Sequence, residues 1–278
     1  MLFFTNLGRV YWRKVHELPK AGRTARGRAI VNLLNLTSDE RVTAFMAVRD
    51  LNEEGLFVFM VTRHGMVKKT ALKAFSNPRA AGIIAIDLNK GDELIEAQCT
   101  TGDDTILIAT RGGMAIRFPE KDVRPMGRTA RGVIGIRLTE EDYVVGVSVA
   151  HDDMTVLSVT ENGYGKRTKV GEYRLQHRGG QGIINIKTTD RNGDVVSMLT
   201  VDDTDEVVLV ATNGVVIRTA VKDIRVIGRN TQGVRVMNPQ EGARVSAIAR
   251  AIAEEKEEEV TESADSIPGS TPSEDAEE

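Results

Sequence analysis

Five times along this chain a pair of glycines marks out one unit. Gly8/Gly27, Gly113/Gly132, Gly163/Gly182 and Gly214/Gly233 are each nineteen residues apart, and Gly65/Gly82 is two residues shorter. The hexapeptide Gly-Arg-Thr-Ala-Arg-Gly occurs twice, at Gly22–Gly27 and Gly127–Gly132. A period of roughly 50 residues is that of a four-stranded propeller blade. A single such unit cannot bury its apolar faces alone, so copies must stack on one another. The chain is therefore expected to be all-β, a propeller-like body of four-stranded blades. Anything fixed within the unit is then displayed at equivalent places around that body.

The pattern inside each unit gives its strands. An apolar run ends near a threonine, as in Leu56–Thr62, Ile106–Thr110, Val156–Thr160 and Val207–Thr212. Short runs rich in Val, Ile and Leu between turn residues predict buried strands. The first glycine closes a hairpin turn, with Asn-Gly at Asn162-Gly163 and Asn213-Gly214. Asn-Gly suits a two-residue hairpin because both central positions need positive φ. A second strand follows, such as Val215–Thr219. The second glycine opens a third strand, as in Gly82–Ile86, Gly132–Ile136 and Gly182–Ile186. A fourth is expected at Asp39–Phe45, Asp92–Ala97, Glu141–Val147, Gly193–Met198 and Gly242–Ile248. The units so defined run over about 2–50, 56–100, 105–150, 155–201 and 206–250. Aromatic content is only 4% and no Trp-Asp dipeptide occurs, so this is not a WD40 propeller.

Charge divides the chain in two. Residues 251–278 hold eleven acids and one base, Lys256. Residues 1–250 then hold 36 Lys/Arg against 29 Asp/Glu, a net of +7, although the whole chain carries −3. A basic body with an acidic tail suggests a polyanionic partner. The body is expected to occupy 1–253. Residues 254–278, mostly Glu, Ser, Asp and Pro, are expected to be disordered, since they have too little apolar surface to offset chain entropy. A short helix is expected over Ala247–Lys256. With its net of −10, the tail is a candidate competitor for the basic surface. One cysteine, Cys99, gives no disulfide framework and fits a reducing cytoplasm. No apolar run reaches the ~18 residues of a membrane helix, and the first residues do not read as a signal peptide.

The basic residues keep register. Four residues after the first glycine stand Lys69, Arg117, Arg167 and Arg218, with Lys68 and Lys166 beside two of them. In the first unit that slot is Trp12, followed at once by Arg13 and Lys14. Four residues before the second glycine stand Arg23, Arg128, Arg178 and Arg229, and in the shorter unit Pro78 is followed by Arg79. Arg26 and Arg131 come one residue before their glycines. Each unit thus offers one basic cluster on its second strand and another on the loop before its third. Charges that only solvate an edge strand have no reason to repeat their register. A belt of periodic cations suits a polyanion that bends around a cylinder, and duplex DNA carries one charge per ~1.7 Å of axis. Arginine's planar fork also matches phosphate oxygens. Such contacts position a protein but read no sequence. Reversing Arg117, Arg167 and Arg218 to Glu is expected to abolish binding and leave thermal stability nearly intact.

Taken with the five units, two further peptides carry a resemblance: Gly163-Tyr-Gly-Lys-Arg-Thr168 and Gly228-Arg-Asn-Thr-Gln-Gly233. Together with the doubled hexapeptide and the acidic tail, they make the chain similar to the C-terminal domain of DNA gyrase A over residues 2–250. The resemblance implies a six-bladed β-pinwheel whose blades exchange a strand. It implies duplex DNA wrapped in a positive sense around the outer edge, which the rest of the type IIA topoisomerase converts into negative supercoils. Its implied partners are duplex DNA, the N-terminal part of gyrase A and the gyrase B protein, in the bacterial cytoplasm at the nucleoid. It implies no cofactor, no membrane partner and a monomer as an isolated domain. Five units are visible where the family has six. The missing one would be the first, with its Gln-Arg-Arg-Gly-Gly-Lys-Gly box. A degenerate copy stands at Gln176-His-Arg-Gly-Gly-Gln-Gly182, in the fourth unit, where Arg178 reads as an ordinary belt residue. Two other readings stay open: a C-terminal DNA-binding domain of the topoisomerase IV type, and a propeller that serves as a protein-interaction scaffold.

No catalytic constellation is legible. Tyr11, Tyr143, Tyr164 and Tyr173 sit inside the repeats and read as packing. A Gly-x-x-x-x-Gly-Lys-Ser/Thr phosphate loop does not occur. His16, His64, His151 and His177 lack metal-ligand spacing. Asp152-Asp153 and Asp202-Asp203 fall between units and read as loop acids, not as Mg²⁺ ligands or general acids. On its own the chain is expected not to be an enzyme.

Overall fold

A computed structural model describes residues 1–20 and 26–251. Arg23 and the acidic tail expected to be disordered, 254–278, lie outside the described residues. The first unit forms β1 (Leu2–Thr5), β2 (Arg9–Trp12) and β3 (Val42–Met46). The second forms β4 (Phe57–Thr62), β5 (Met66–Ala71), β6 (Ile83–Ile84) and β7 (Leu94–Thr100). The third forms β8 (Thr105–Thr110), β9 (Met114–Pro119), β10 (Val133–Ile134) and β11 (Val144–Val149). The fourth forms β12 (Thr155–Thr160), β13 (Tyr164–Lys169), β14 (Ile183–Ile184) and β15 (Val195–Val201). The fifth forms β16 (Glu206–Ala211), β17 (Val216–Ala220), β18 (Val234–Arg235) and β19 (Val245–Ala251). The helix expected from Ala247 is corrected over the described part. That stretch belongs to β19, which pairs with β16 and packs on β15.

Five antiparallel sheets follow one another as blades. Read from the innermost strand outward, they are β3-β1-β2-β6, β7-β4-β5-β10, β11-β8-β9-β14, β15-β12-β13-β18 and β19-β16-β17. The innermost strands pack against each other in that same succession. The strand opened by the second glycine does not return to its own unit. β6, β10, β14 and β18 each complete the blade of the unit before them. Among the described residues the last blade has three strands, with β17 outermost.

The two glycines of the repeat mark the two ends of this exchange. Gly113 turns between β8 and β9 with φ +85°, and a Cβ there would lie 2.3 Å from the carbonyl oxygen of Ile186, two residues past the strand donated by the next unit. Gly182, at φ +79°, opens that donated strand, and its Cβ would lie 2.3 Å from the carbonyl of Ala115. Neither site has room for a side chain, and positive φ disfavours one as well. By contrast, Gly27 and Gly214 have nothing within 4 Å of such a Cβ. They are the second glycine of the first unit and the first glycine of the last, and among the described residues neither meets an exchanged strand.

Apolar residues bury between blades, not at one centre. Val58 and Met60 of β4 pack toward the first blade with Phe4 and Val10. Phe59 and Val61 of the same strand pack toward the third with Ile106 and Ile116. Each second-from-centre strand is thus sandwiched on both faces. That accounts for the continuous apolar runs, where a sheet with one wet face would alternate. The outer side of the first blade is covered by its own chain, with Leu34 on Phe3 and Tyr11.

Candidate nucleic-acid interface

Strand exchange decides which cations face out. After its second strand each unit makes a 3-10 turn, Glu120–Asp122, Val170–Glu172 or Val221–Asp223. The loop that follows runs to the donated strand over the back of the preceding blade. Backbone N–H groups of Met126, Gln176 and Ile227 donate to the carbonyls of Lys69, Arg117 and Arg167 at 2.8, 3.0 and 2.8 Å. Asp87, Arg137 and Lys187 in turn donate to Ala130, Gly180 and Thr231 at 3.2, 2.9 and 2.9 Å. Loops 124–132, 174–182 and 225–233 therefore occupy equivalent places on successive blades, joined to the outermost strands.

The basic row on the second strands lies beneath these loops. Lys69 is buried, with its ammonium 3.6 Å from Glu120 and over the Phe57 ring. Glu120 is wholly buried and accepts from the Thr100 hydroxyl at 2.6 Å and the Gly102 N–H at 3.0 Å. Arg117 is half-buried, 2.5 Å from Asp152, and donates to the Val170 and Tyr173 carbonyls at 3.3 Å each. Arg167 is buried against Asp203, and its Nε donates to the Ile224 carbonyl at 2.8 Å. Lys68 and Lys166 are completely buried, and burial pushes their ammonium groups down to about 8 and about 7. These placements correct the expected belt: Lys68, Lys69, Lys166 and Arg167 are closed off from a large ligand, and Arg117 is largely so. The physical reason is that a second strand is not outermost when the next unit covers it. Asp152 and Asp203, read as loop acids, are partners across blade junctions. Arg218, in the last blade, which receives no strand from another unit among the described residues, is exposed and pairs with Glu206 within its own sheet.

The loop row is the outward one. Arg26, Arg79 and Arg131 are exposed, and Arg131 lies 2.9 Å from the exposed Asp87 carboxylate. Arg128, Arg178 and Arg229 are half-buried. Each donates from its guanidinium to the carbonyl of the preceding donated strand, Ile84, Ile134 and Ile184, at 3.0, 2.9 and 2.6 Å. They latch one loop to the next and keep part of the fork free. Lys14 is exposed, while half-buried Arg13 donates to the Leu33 carbonyl at 2.7 Å.

Sequence reasoning missed three further exposed cations of this strip. Arg124, Arg174 and Arg225 are exposed and make no ion pair among the described residues. Each stands four residues before its latch arginine, so the same register argument, carried one step back, finds them. Lys20 and Lys73 are exposed at nearby places in the first two units. Exposed Ile84, Ile134 and Ile184 run beside the guanidinium groups. The strip therefore offers fixed cations, donor forks and some apolar surface, and exposed His177 on it lies 3.0 Å from the Asp122 carboxylate. Among the described residues no group of three His, Cys, Asp or Glu side chains is placed to hold a metal ion.

The family model described as DNA gyrase C-terminal domain, beta-propeller, matches residues 1–49, 57–101, 104–151, 155–202 and 205–251. The DNA gyrase A protein of Salmonella typhimurium is 47% identical over 270 residues, covering 97% of this chain and 30% of that protein. The DNA gyrase A protein of Halalkalibacterium halodurans is 51% identical over 263 residues, covering 95% of this chain and 32% of its own length. The chain thus spans less than a third of the curated relatives it matches. Among solved structures, the C-terminal domain of DNA topoisomerase IV superposes with a TM-score of 0.83 at 28% identity, covering 91% of this chain and 79% of that one. The DNA gyrase A C-terminal domain superposes with a TM-score of 0.79 at 26% identity, covering 90% and 82%.

Proposed function

Because the chain belongs to the DNA gyrase C-terminal domain, beta-propeller family, we propose that it binds duplex DNA without sequence preference along its outer loops. Bound DNA bends around the blades, and the wrap supports negative supercoiling by a gyrase that includes gyrase B and the N-terminal part of gyrase A. The observation that carries this reading is the periodic strip itself. Loops 124–132, 174–182 and 225–233 repeat at the perimeter with Arg124, Arg174 and Arg225 outward in all three. Regular spacing around a curved body matches a charged, stiff polymer that must curve to touch every loop, and flexible base steps lower the cost of that curvature. In this reading DNA contacts come from Arg26, Arg79, Arg131 and the free edges of Arg128, Arg178 and Arg229, joined by Arg124, Arg174 and Arg225. The chain supplies no chemistry of its own, and strand cleavage belongs to the rest of the enzyme.

The test is plasmid topology. Relaxed circular DNA is bound, nicked and resealed, and its linking number is read after the protein is removed. A change that grows with protein concentration is expected, of the sign of a positive wrap. Binding with an unaltered linking number overturns wrapping and favours the topoisomerase IV-type reading, which the superposition with that enzyme's C-terminal domain supports. No salt-dependent binding overturns the DNA role and leaves the protein-interaction scaffold.

A further inference from the structure

Lys68 and Lys166 are wholly buried cations, and no carboxylate among the described residues pairs with either. Both stand three residues after the first glycine of their units. In the same slot the third and fifth units carry Ile116 and Ile217, and Ile116 is buried there as completely as the lysines. Packing is therefore satisfied by an aliphatic side chain, and an ammonium brings a desolvation cost that isoleucine does not. What offsets the cost is a set of oxygen acceptors, and most of them belong to the loop laid over the blade by the next unit.

Lys166 Nζ donates to the carbonyls of Gly228 and Arg229 at 3.0 and 2.9 Å and to the Thr168 hydroxyl at 2.8 Å. That hydroxyl donates onward to the Ile227 carbonyl at 2.8 Å. Three consecutive carbonyls, 227–229, are thereby drawn inward to one lysine and its threonine. Lys68 Nζ donates to the Arg128 carbonyl and, at 2.6 Å, to the Ala85 carbonyl. The loop over Ile116 is held by other means. There the Gly179 N–H donates to the Gly135 carbonyl at 2.6 Å, and Arg178 Nε donates to the Asp122 carbonyl at 2.9 Å.

We propose that Lys68 and Lys166 are positioning residues for the outer strip: each holds the turn carbonyls of the next unit's loop inward and so fixes that loop's arginines outward. Arg124 and Arg131 depend on Lys68, and Arg225 with the free edge of Arg229 depends on Lys166. Neither lysine touches the ligand. The inference rests on the reading that the loops bind DNA.

The experiment uses the full chain and a linear mixed-sequence duplex, with affinity measured across a salt series. Lys166→Met removes the ammonium and keeps much of the volume. The expected result is several-fold weaker binding and a salt slope shallower by about one, although residue 166 is out of reach of phosphate. Thermal stability is expected to be unchanged or raised, and amide exchange should quicken in 225–233 but not in 174–182. Combining Lys166→Met with Arg225→Ala should cost less than the two single effects together. Lys68→Ile, which copies the residue at 116, repeats the test on loop 124–132 and serves if the methionine variant does not fold. Should both lysine variants fold, bind with the wild-type slope and keep loop exchange slow, positioning is overturned. Arg225→Ala separates the two levels: if it weakens binding while the lysine variants do not, the DNA role stands and only the positioning role falls.

Discussion

Two rows of cations repeat with the same unit and end in opposite environments. The second-strand row, Lys69, Arg117 and Arg167, turns into the blade junctions, where Glu120, Asp152 and Asp203 wait on the following blade. The loop row, Arg124, Arg174 and Arg225, sits on top of those junctions in water. The donated strand separates them. It covers the second strand that would otherwise be the edge, and it carries a fresh set of arginines outward on its leading loop. Periodicity therefore identifies what the fold repeats, while covering decides whether the repeated charge binds neighbouring blades or faces solvent. The exception sharpens the rule. Arg218 occupies the second-strand slot in the last blade, where no strand of another unit covers it among the described residues, and it remains exposed.

The contrast breaks if the inner row tolerates removal of its partners. Glu120→Ala carries the largest expected loss. It leaves the buried Lys69 ammonium uncompensated and the Thr100 hydroxyl and Gly102 N–H without their acceptor. Breaking a buried pair from one side costs about 3–5 kcal/mol, readable as a lowered denaturation midpoint. Arg167→Ala comes next. The Ile224 carbonyl loses its donor, worth about 1–3 kcal/mol, while Asp203 is mostly exposed and regains water. The same logic overturns the expectation that reversing Arg117, Arg167 and Arg218 together would spare stability. Two of the three are junction residues, and a carboxylate in place of Arg167 would bury a charge beside Asp203.

A pH series probes the inner row without removing a pair. The Lys166 ammonium is lowered to about 7 by burial, with Glu172 opposing that shift and Arg229 adding to it, whereas a solvated lysine titrates near 10.5. Between those values the unfolded chain binds the extra proton, so stability rises with pH across this window. Lys166→Met should remove that rise. An identical pH dependence in both proteins would mean that the lysine is solvated after all.

Much of this is legible in the sequence alone. The hairpin of each unit follows from local turn chemistry at Gly113 and Gly163 and from apolar runs sandwiched between blades. The destination of the third strand is not legible there, because Gly-Ile-Ile fits the edge of its own sheet or of its neighbour's equally well. Burial of the second-strand row follows from that ambiguity. Arg117 and Arg167 meet acids 35 and 36 residues away, and in the sequence those acids are ordinary loop residues at the unit boundary. Lys69 meets Glu120, 51 residues on and in a different slot. Arg124, Arg174 and Arg225 keep perfect register in the sequence, but nothing local distinguishes an arginine on a covering loop from one on a covered strand.

Weaker still should be the effect of Arg218→Ala on folding. Its pair with Glu206 is solvent-accessible and lies within one sheet, and such pairs contribute about 0–1 kcal/mol. Small for each residue, too, should be the folding effect of the triple variant Arg124→Ala, Arg174→Ala, Arg225→Ala. Exposed side chains without ion pairs should change folding by no more than ~0.5 kcal/mol each. Yet the same variant should cause the steepest loss of DNA binding, with the salt slope shallower by roughly 0.9 for each phosphate contact removed. The inner row must give the reverse pattern, with Glu120→Ala moving the melting midpoint and leaving the salt slope of the folded fraction unchanged. If the triple variant melts early, or binds with an unaltered slope, the two rows are not divided between joining blades and meeting DNA, and the strip loses its assignment.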